Sequence, residues 1–230
     1  MPDSTTARSL PAAENAGPAP LLVRELGRVE YEPTWRAMQQ FTQTRTASTA
    51  DELWLLEHPP VYTLGMNADV GHVLAPGEIP VIAVDRGGQV TYHGPGQLVV
   101  YLLYDLTRAG VGLRDVVNAL ERAVIDYSTA LGFVAECRRN APGVYVEGRK
   151  LASVGLRIRR GASFHGLALN VNMDLEPFTR INPCGYAHLQ MTQLADHGGP
   201  RDLWQAAAAF TPHLMHQLEA MPSREARSCA

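Results

Sequence analysis

Residues 144–158 of this 230-residue chain read VYVEGRKLASVGLRI and predict two β-strands joined by a tight turn. Apolar residues dominate both ends of the stretch, and Glu147-Gly148 between them is a natural hairpin turn. Further short strands are predicted on either side, at 133–137 and 164–171. Consecutive strands with short connections indicate an antiparallel or mixed sheet.

Helices and strands are intermixed along the rest of the chain. Apolar residues keep helical spacing from Leu113 to Leu131, and Gly132 follows where a helix C-terminus favours glycine. Pro33 suits the first turn of another helix. The remaining predictions are strands at 21–26, 53–57, 61–64, 81–85 and 97–104 and helices at 33–44 and 202–219. The predicted fold class is therefore α+β, a mixed or antiparallel sheet flanked by helices.

Composition excludes several classes of protein. Twenty basic against 23 acidic residues give a net charge of −3, whereas dedicated nucleic-acid binders are normally basic. The longest strongly apolar run, seven residues at 98–104, is too short to span a bilayer. Three widely spaced cysteines match neither a disulfide scaffold nor a zinc ribbon, and the eight histidines lack the spacing of a metal site. We expect a soluble, cytoplasmic protein with no metal and no nucleic-acid or membrane partner.

The chain is predicted to divide into three segments. Residues 1–20 are rich in Pro, Ala, Ser and Thr and lack the apolar stretch of a secretion signal, which indicates a flexible tail. Residues 221–230 are predicted to form a second tail. Residues 21–220 contain no Pro- or Gly-rich linker and are predicted to form one domain.

Lys150 is the only lysine among the 20 basic residues, because the other 19 are arginines. A codon bias explains the arginines but not the exception. Arginine stays protonated at physiological pH, whereas the amine of a lysine can give up a proton. Lys150 is therefore a candidate functional residue.

The stretch 85–97, DRGGQVTYHGPGQ, has the most unusual composition. Five glycines and prolines between Gly87 and Gln97 predict tight turns rather than a regular strand. Glycines let the backbone approach a ligand closely, and the interleaved Arg, Thr, Tyr and His side chains supply donors and a titratable group. The sequence contains neither a GxxxxGK[ST] loop nor a GxGxxG loop. Tight turns around a partly buried histidine are the alternative explanation.

Small residues recur on two predicted strands. Ala152, Ser153 and Gly155 lie on one of them, and Gly166 and Ala168 share a face of the other. Small side chains leave room for a ligand against the sheet, although close packing of a strand on its neighbours would need them equally.

Two cysteines receive opposite predictions. Cys184 lies in INPCGY, between a proline and a glycine, and is predicted to be exposed in a loop, whereas Cys137 falls in an apolar strand pattern and is predicted to be in the core. A thiol with a pKa near ~8.5 is only a few per cent thiolate at neutral pH, and a nearby ammonium raises that fraction. Lys150 could supply this ammonium, although a loop cysteine without a role is also compatible with the sequence.

Four ordered motifs resemble one family. They are RGGQVTYHGPGQ at 86–97, GRKLASVG at 148–155, FHGLALN at 164–170 and NPCG at 182–185. Together they resemble the signature segments of the octanoyl-[acyl-carrier-protein]:protein N-octanoyltransferase family, also called lipoyl/octanoyl transferases. The resemblance extends from about residue 22 to residue 218 and shows no departure within the motifs.

The resemblance implies a mechanism, a fold and a set of site residues. Cys184 would take an octanoyl group from octanoyl-acyl carrier protein as a thioester. A lysine of a lipoyl domain, such as those of dehydrogenase E2 subunits or glycine cleavage H protein, would then accept the group. Lys150 would lower the thiol pKa and shuttle protons, without a cofactor. The implied fold is that of the biotin and lipoate protein ligase catalytic domain, with 21–220 as a single transferase domain. The implied substrate-binding residues are Arg86, Gly87, Gly88, Gln89, Val90, Thr91, Tyr92, His93, Ser153, Val154, Gly155, Gly166, Leu167 and Ala168.

The segment 136–160 is the predicted docking site for the carrier protein. It contains seven basic and two acidic residues, a net charge of +5 in a chain of net charge −3. A basic patch can steer an acidic partner such as an acyl carrier protein. A merely solvated charged face is the alternative.

Three other functions remain open. An ATP-dependent lipoate or biotin ligase on the same fold would not need Cys184, and no GRGRxGR adenylate loop is present. A cysteine hydrolase would pair Cys184 with one of three histidines, His93, His165 or His188. A non-catalytic lipoyl-domain binding module would need neither Cys184 nor Lys150.

Overall fold

The computed structural model describes residues 21–139, 141–187 and 189–222, with the Cys184 side chain excepted. The predicted tail at 1–20, and all but two residues of the one at 221–230, lie outside the described residues. The strands are β1 (Leu21–Arg28), β2 (Asp51–Glu57), β3 (Val61–Leu64), β4 (Val81–Ala83), β5 (Val90–His93), β6 (Gln97–Leu103), β7 (Glu136–Arg138), β8 (Ala141–Val146), β9 (Arg149–Arg159) and β10 (Ala162–Asn170). The α-helices are α1 (Tyr31–Thr44), α2 (Leu106–Ala109), α3 (Leu113–Ala130) and α4 (Leu203–Glu219).

Seven strands form the main sheet, in the order β1-β2-β6-β10-β9-β8-β7. Neighbours are antiparallel except β1 and β2, which are parallel. A smaller sheet, β4-β3-β5, combines one parallel with one antiparallel pair. The predicted α+β class with a mixed sheet is confirmed.

Helices cover both faces of the main sheet. In β2, Leu53 and Leu55 join the core cluster of α3 and α4, whereas Trp54 and Leu56 join the cluster that contains Met38 of α1. Because side chains alternate along a strand, a strand that is apolar on both faces needs a covering layer on each side. The sheet is therefore the middle layer of the described structure.

The turn between β8 and β9 is the predicted hairpin turn. Glu147 and Gly148 have φ values of 49° and 83°, and such left-handed values at both central residues are typical of the type I′ turn that matches strand twist. The hairpin pairs Tyr145 of β8 with Lys150 at the start of β9. Local turn chemistry thus fixes the position of the only lysine.

Several predicted boundaries are wrong. The strand predicted at 133–137 is Glu136–Arg138, and Cys137 is exposed rather than in the core because β7 forms the edge of the sheet. The glycine-rich stretch contains strand β5, since its glycines are confined to the turns on either side. The strand predicted at 81–85 ends at Ala83, and the short helix α2 was not predicted.

Gly166 allows β10 to approach β6 closely. A Cβ at this position would lie 2.1 Å from the Val100 carbonyl oxygen, so even alanine would collide with backbone. We expect Gly166→Ala to lower the free energy of unfolding by about 1–3 kcal/mol, the usual cost of overpacking. Urea denaturation measures this loss. Gly71→Ala is the control, because its nearest neighbour is the movable Asp69 side chain at 3.2 Å. Equal losses in the two variants would contradict this explanation.

Candidate active site

A cavity of about 320 Å³ opens between the glycine-rich stretch, helix α3 and the middle strands of the main sheet. This volume lies at the lower end of the ~300–1,000 Å³ range of small-molecule sites. Fourteen of the sixteen sequence-predicted site residues line the cavity: Lys150, Arg86, Gly87, Gly88, Gln89, Val90, Thr91, His93, Ser153, Val154, Gly155, Gly166, Leu167 and Ala168. Three of the four motif segments therefore meet at one cavity.

Tyr92 lies apart from the others. Side chains alternate along β5, so Thr91 and His93 line the cavity while the Tyr92 ring packs on the other side. This ring contacts Tyr62 and Phe178 at centroid distances of 5.5 and 5.3 Å. Tyr92 belongs to the core of the small sheet.

Arg86 anchors the glycine-rich stretch. Its guanidinium is buried and donates to the Thr63 carbonyl oxygen at 2.7 Å and to the Gly87 carbonyl oxygen at 3.0 Å. The Gly87 N–H in turn donates to the Leu156 carbonyl oxygen of β9 at 3.1 Å, and a Cβ at Gly155 would lie 3.2 Å from the Gly87 oxygen. The small residues of β9 thus make room for this loop as well as for the cavity.

Apolar side chains of the cavity wall were missed by sequence reasoning. Val99 comes from β6, Leu113 and Val117 come from α3, and Leu156 comes from β9. The helical periodicity that predicted α3 marks an apolar face but does not tell whether that face meets a core or a cavity. Sequence reasoning also missed Tyr31, Tyr101, Ala141, Pro142, His165 and Tyr186 as lining residues.

A buried cluster of two histidines and two tyrosines adjoins the cavity. His58 Nε2 lies 2.7 Å from the Tyr101 hydroxyl, and the Tyr31 ring stacks on His93 at 5.8 Å. Burial lowers the pKa of His58 to about 4 and that of His93 to about 3, and burial raises the pKa of Tyr31 to about 12. All three side chains are therefore uncharged at neutral pH, which favours an apolar ligand.

Asp85 connects helix α1 with strand β10. Its carboxylate accepts hydrogen bonds from Trp35 Nε1 at 2.7 Å and Gln39 Nε2 at 2.9 Å, and it lies 3.0 Å from His165 Nε2. Burial by itself would raise the pKa of Asp85, but the hydrogen bonds from His165, Gln39 and Trp35 outweigh burial and lower it. An ionised Asp85 thus orients the His165 ring that lines the cavity.

Lys150 is buried, with 1% of its surface exposed. Its Nζ donates to the Pro142 carbonyl oxygen at 2.9 Å and lies 5.4 Å from the centroid of the Tyr145 ring. The ladder between β8 and β9 shifts register here, since Tyr145 pairs with Lys150 but Val144 pairs with Ala152. Such a bulge redirects a side chain, and the Lys150 side chain lines the cavity.

The segment after the NPCG motif is bound to Lys150 through its backbone. The Lys150 N–H donates to the Gln190 carbonyl oxygen at 2.8 Å, and the Thr192 N–H donates to the Lys150 carbonyl oxygen at 3.0 Å. Because these bonds are made by backbone groups, they do not depend on the side chain at 150. They bring the loop that carries Cys184 to the start of β9.

The backbone of Cys184 lies in a 3₁₀ turn, Pro183–Gly185, beside the cavity. Tyr186 lines the cavity, and a Cβ at Gly185 would lie 3.4 Å from Gln89 Cγ, which belongs to another lining residue. The Cys184 side chain itself lies outside the described part of the structure. Its neighbours in sequence nevertheless adjoin the cavity that contains Lys150.

The described residues contain neither a metal-binding cluster nor a membrane-spanning helix. No group of three or more His, Cys, Asp and Glu side chains in this part of the chain could hold a metal ion. No helix within it is long and apolar enough to cross a membrane.

Comparison with known proteins shows the family. A model of the lipoyl protein ligase A/B catalytic domain matches residues 30–214. The octanoyltransferase of Stutzerimonas stutzeri is 60% identical over 196 residues, which cover 85% of this chain and 90% of the relative. The octanoyltransferase of Methylococcus capsulatus is 59% identical over 197 residues, covering 86% and 95%. This chain belongs to the octanoyltransferase family. It is accordingly an acyltransferase that transfers octanoyl groups.

Solved structures show that the octanoyltransferase shares its fold with ligases. A bi-partite lipoate protein ligase of Thermoplasma acidophilum has a TM-score of 0.63 at 14% identity, covering 86% of this chain and 84% of its own. Biotin protein ligase of Aquifex aeolicus has a TM-score of 0.54 at 12% identity, covering 86% and 70%. The fold predicted from the motifs is confirmed.

The octanoyltransferase should lose stability in mild acid. The folded-state pKa values of His58 and His93, about 4 and about 3, lie below the ~6.5 of an unfolded histidine, so the unfolded chain binds more protons in between. The stability contribution of both imidazoles is full above about pH 6.5 and is lost as the pH falls toward the folded-state values.

We expect the free energy of unfolding to fall by about 2 kcal/mol per histidine between pH 7 and pH 5. Denaturant titrations at the two pH values measure the change. His93→Gln should show a smaller acid loss than the unmodified protein, because its side chain does not titrate. If His93→Gln lost as much stability between pH 7 and pH 5 as the unmodified protein, the lowered pKa of His93 would not be a cause of the loss.

Proposed function

We propose that this octanoyltransferase carries the octanoyl group on Cys184 as a thioester, between octanoyl-acyl carrier protein and a lysine of a lipoyl domain. The observation that supports this proposal best is the convergence of the NPCG loop backbone and the Lys150 side chain at one largely apolar cavity. The proposed transferase domain is 21–220, and the reaction takes place in the cytoplasm.

The first step exchanges one thioester for another. The Cys184 thiolate attacks the carbonyl carbon of the donor thioester, and the bond from this carbon to the sulfur of the carrier breaks. The carrier leaves as a thiol after its sulfur takes a proton. Lys150 supplies the positive charge that favours the Cys184 thiolate and the proton that the leaving sulfur needs.

The second step converts the thioester into an amide. The neutral amine of the acceptor lysine attacks the acyl carbon, the bond to Cys184 breaks, and the amine nitrogen gives up a proton. Lys150, having given its own proton to the leaving carrier, accepts this one. Protons and acyl group balance over the two steps, so no ATP or metal is required. The acyl chain lies in the cavity throughout, where each buried methylene contributes ~0.8 kcal/mol.

Lipoyl domains are the acceptor class that the comparisons favour. The Thermoplasma acidophilum ligase was described together with its E2 lipoyl domain, and it shares this fold. We propose dehydrogenase E2 subunits and glycine cleavage H protein as acceptors of the same chemistry for this chain.

Mass spectrometry of the intact protein tests the covalent step. After exposure to octanoyl-acyl carrier protein alone, we expect one octanoyl adduct, located on Cys184 by peptide mapping. Cys184→Ala should form no adduct and transfer no octanoyl group, while Cys137→Ala and Cys229→Ala should retain most transfer. Transfer by Cys184→Ala near the unmodified rate would contradict the thioester mechanism, and an absolute need for ATP would indicate a ligase.

The basic segment 136–160 is not one surface. Lys150 is buried, and the eleven residues of β9 place Arg149 and Arg159 about 33 Å apart at ~3.3 Å per residue. Arg138, Arg139 and Arg149 line a groove of about 490 Å³. This groove shares two lining residues, Ala141 and Tyr186, with the cavity. The three arginines of the groove are therefore the proposed docking site for an acidic carrier.

A matched pair of variants tests the groove. Replacing Arg138, Arg139 and Arg149 with glutamine should lower kcat/KM for octanoyl-acyl carrier protein several-fold and flatten its dependence on salt, because salt screens exposed charges. Replacing Arg157, Arg159 and Arg160 changes net charge equally and should have a smaller effect. A small octanoyl thioester should be affected by neither change. Equal effects of the two triple variants on the carrier-linked donor would remove the groove as the docking site.

A further inference from the structure

A buried carboxylate that the proposed mechanism does not use lies one peptide group away from Lys150. Glu121 of α3 is 8% exposed, and its Oε1 accepts a hydrogen bond from the Gly143 N–H at 2.7 Å. Lys150 Nζ donates to the Pro142 carbonyl oxygen at 2.9 Å. That carbonyl and that N–H belong to the same peptide group, the one between Pro142 and Gly143. A single peptide therefore connects the carboxylate with the ammonium.

Hydrogen bonds at the two ends of a peptide group strengthen each other. A carboxylate that accepts from the N–H draws the peptide electrons toward the carbonyl oxygen, and this oxygen becomes a better acceptor for the ammonium. Both bonds are also charge-assisted, which makes them roughly twice as strong as neutral ones. Removing the carboxylate thus weakens the bond from Lys150 Nζ to the Pro142 carbonyl oxygen.

The peptide is held tightly against the lysine. A Cβ at Gly143, whose φ is 126°, would lie 2.6 Å from Lys150 Cε and 2.4 Å from the Ala152 carbonyl oxygen. Glycine is thus required here both by the backbone conformation and by the close approach. With so little space, a small rotation of the peptide displaces the lysine side chain, so the orientation of the peptide sets the position of Nζ.

We infer that Glu121 is a positioning residue for Lys150 and acts through the Pro142–Gly143 peptide. This inference rests on the proposed function, in which Lys150 transfers protons at Cys184. The strand ladder fixes only the backbone of Lys150, whereas Glu121 fixes the carbonyl that holds its Nζ.

Helix α3 supplies a matched control. Asp126 is a second carboxylate of the same helix, and its Oδ2 accepts a hydrogen bond from Gln217 Nε2 of α4 at 2.6 Å. Asp126→Leu removes a carboxylate and a hydrogen bond from α3, as Glu121→Leu does, but leaves the Pro142–Gly143 peptide alone. Glu121→Gln keeps one side-chain oxygen as acceptor, replaces the other by an NH₂ donor and removes the charge.

The experiment uses the fact that Lys150 is the only lysine in the chain. Labelling the enzyme with lysine enriched in ¹³C at Cε gives one side-chain NMR signal for Lys150. The second step is measured in parallel, as single-turnover transfer from octanoyl-enzyme to a lipoyl domain. Near-ultraviolet circular dichroism verifies that each variant is folded.

We expect Glu121→Leu to shift and broaden the lysine signal and to slow transfer about tenfold or more. This loss should be smaller than the ~10²–10⁴-fold loss expected when the proton transfer itself is removed. Glu121→Gln should give smaller changes of the same kind, with the loss in kcat rather than in KM. It is also the test variant if Glu121→Leu fails to fold. Asp126→Leu should leave signal and rate as in the unmodified enzyme.

Two outcomes would overturn the inference, and they differ. An unchanged lysine signal in the Glu121 variants would overturn only the inference that Glu121 positions Lys150. The proposed function would still stand. A shifted signal with an unchanged transfer rate would also overturn the inference, because the orientation of Lys150 would then not limit the reaction, whereas only an unimpaired second step in Lys150→Arg would contradict the proton-transfer role of Lys150 in the proposed function. Lys150→Arg, which keeps the charge but cannot accept a proton, should abolish the second step and provides the reference for complete loss.

Discussion

An ammonium group can leave water only where other groups replace its hydration, because an unpaired buried charge is far too costly. This constraint governs the arrangement around Lys150. The hairpin turn places it at the start of β9, the bulge redirects its side chain, and the segment 190–192 binds its backbone. The Pro142 carbonyl then accepts from Nζ. Each of these features serves to hold one charge in a buried position, and the cavity forms where they meet.

The rest of the cavity is adapted to an apolar ligand. Four valines and three leucines are among its lining residues, and burial keeps the histidines of the adjoining cluster neutral at physiological pH. The Arg86 guanidinium is engaged by Thr63 and by the loop that it anchors. In the proposed mechanism an octanoyl chain is therefore bound by burial of apolar surface, with the charge of Lys150 on the cavity wall.

The sequence predicted local features better than long-range ones. The hairpin at Glu147-Gly148 and the α3 helix follow from turn chemistry and periodicity, which act over a few residues, and both were correct. The motifs predicted most of the cavity lining. Cys137 was placed wrongly because an apolar strand pattern does not reveal that its strand is the last one in the sheet. Tyr92 lies in a strand whose alternate side chains point to opposite faces of the small sheet. A motif lists its residues without saying which face each side chain is on, so the packing of Tyr92 on Tyr62 and Phe178 could not be predicted.

The contribution of Glu121 could not be read from the sequence at all, since it depends on the Gly143 N–H, 22 residues away, folding against α3. Its distance from Lys150 also has a chemical consequence. The Pro142–Gly143 peptide between them lets Glu121 fix the direction of Nζ through the carbonyl oxygen that accepts its hydrogen bond. In the proposed mechanism Lys150 gives up and regains a proton at Cys184, and arginine, which does not deprotonate, could not take its place.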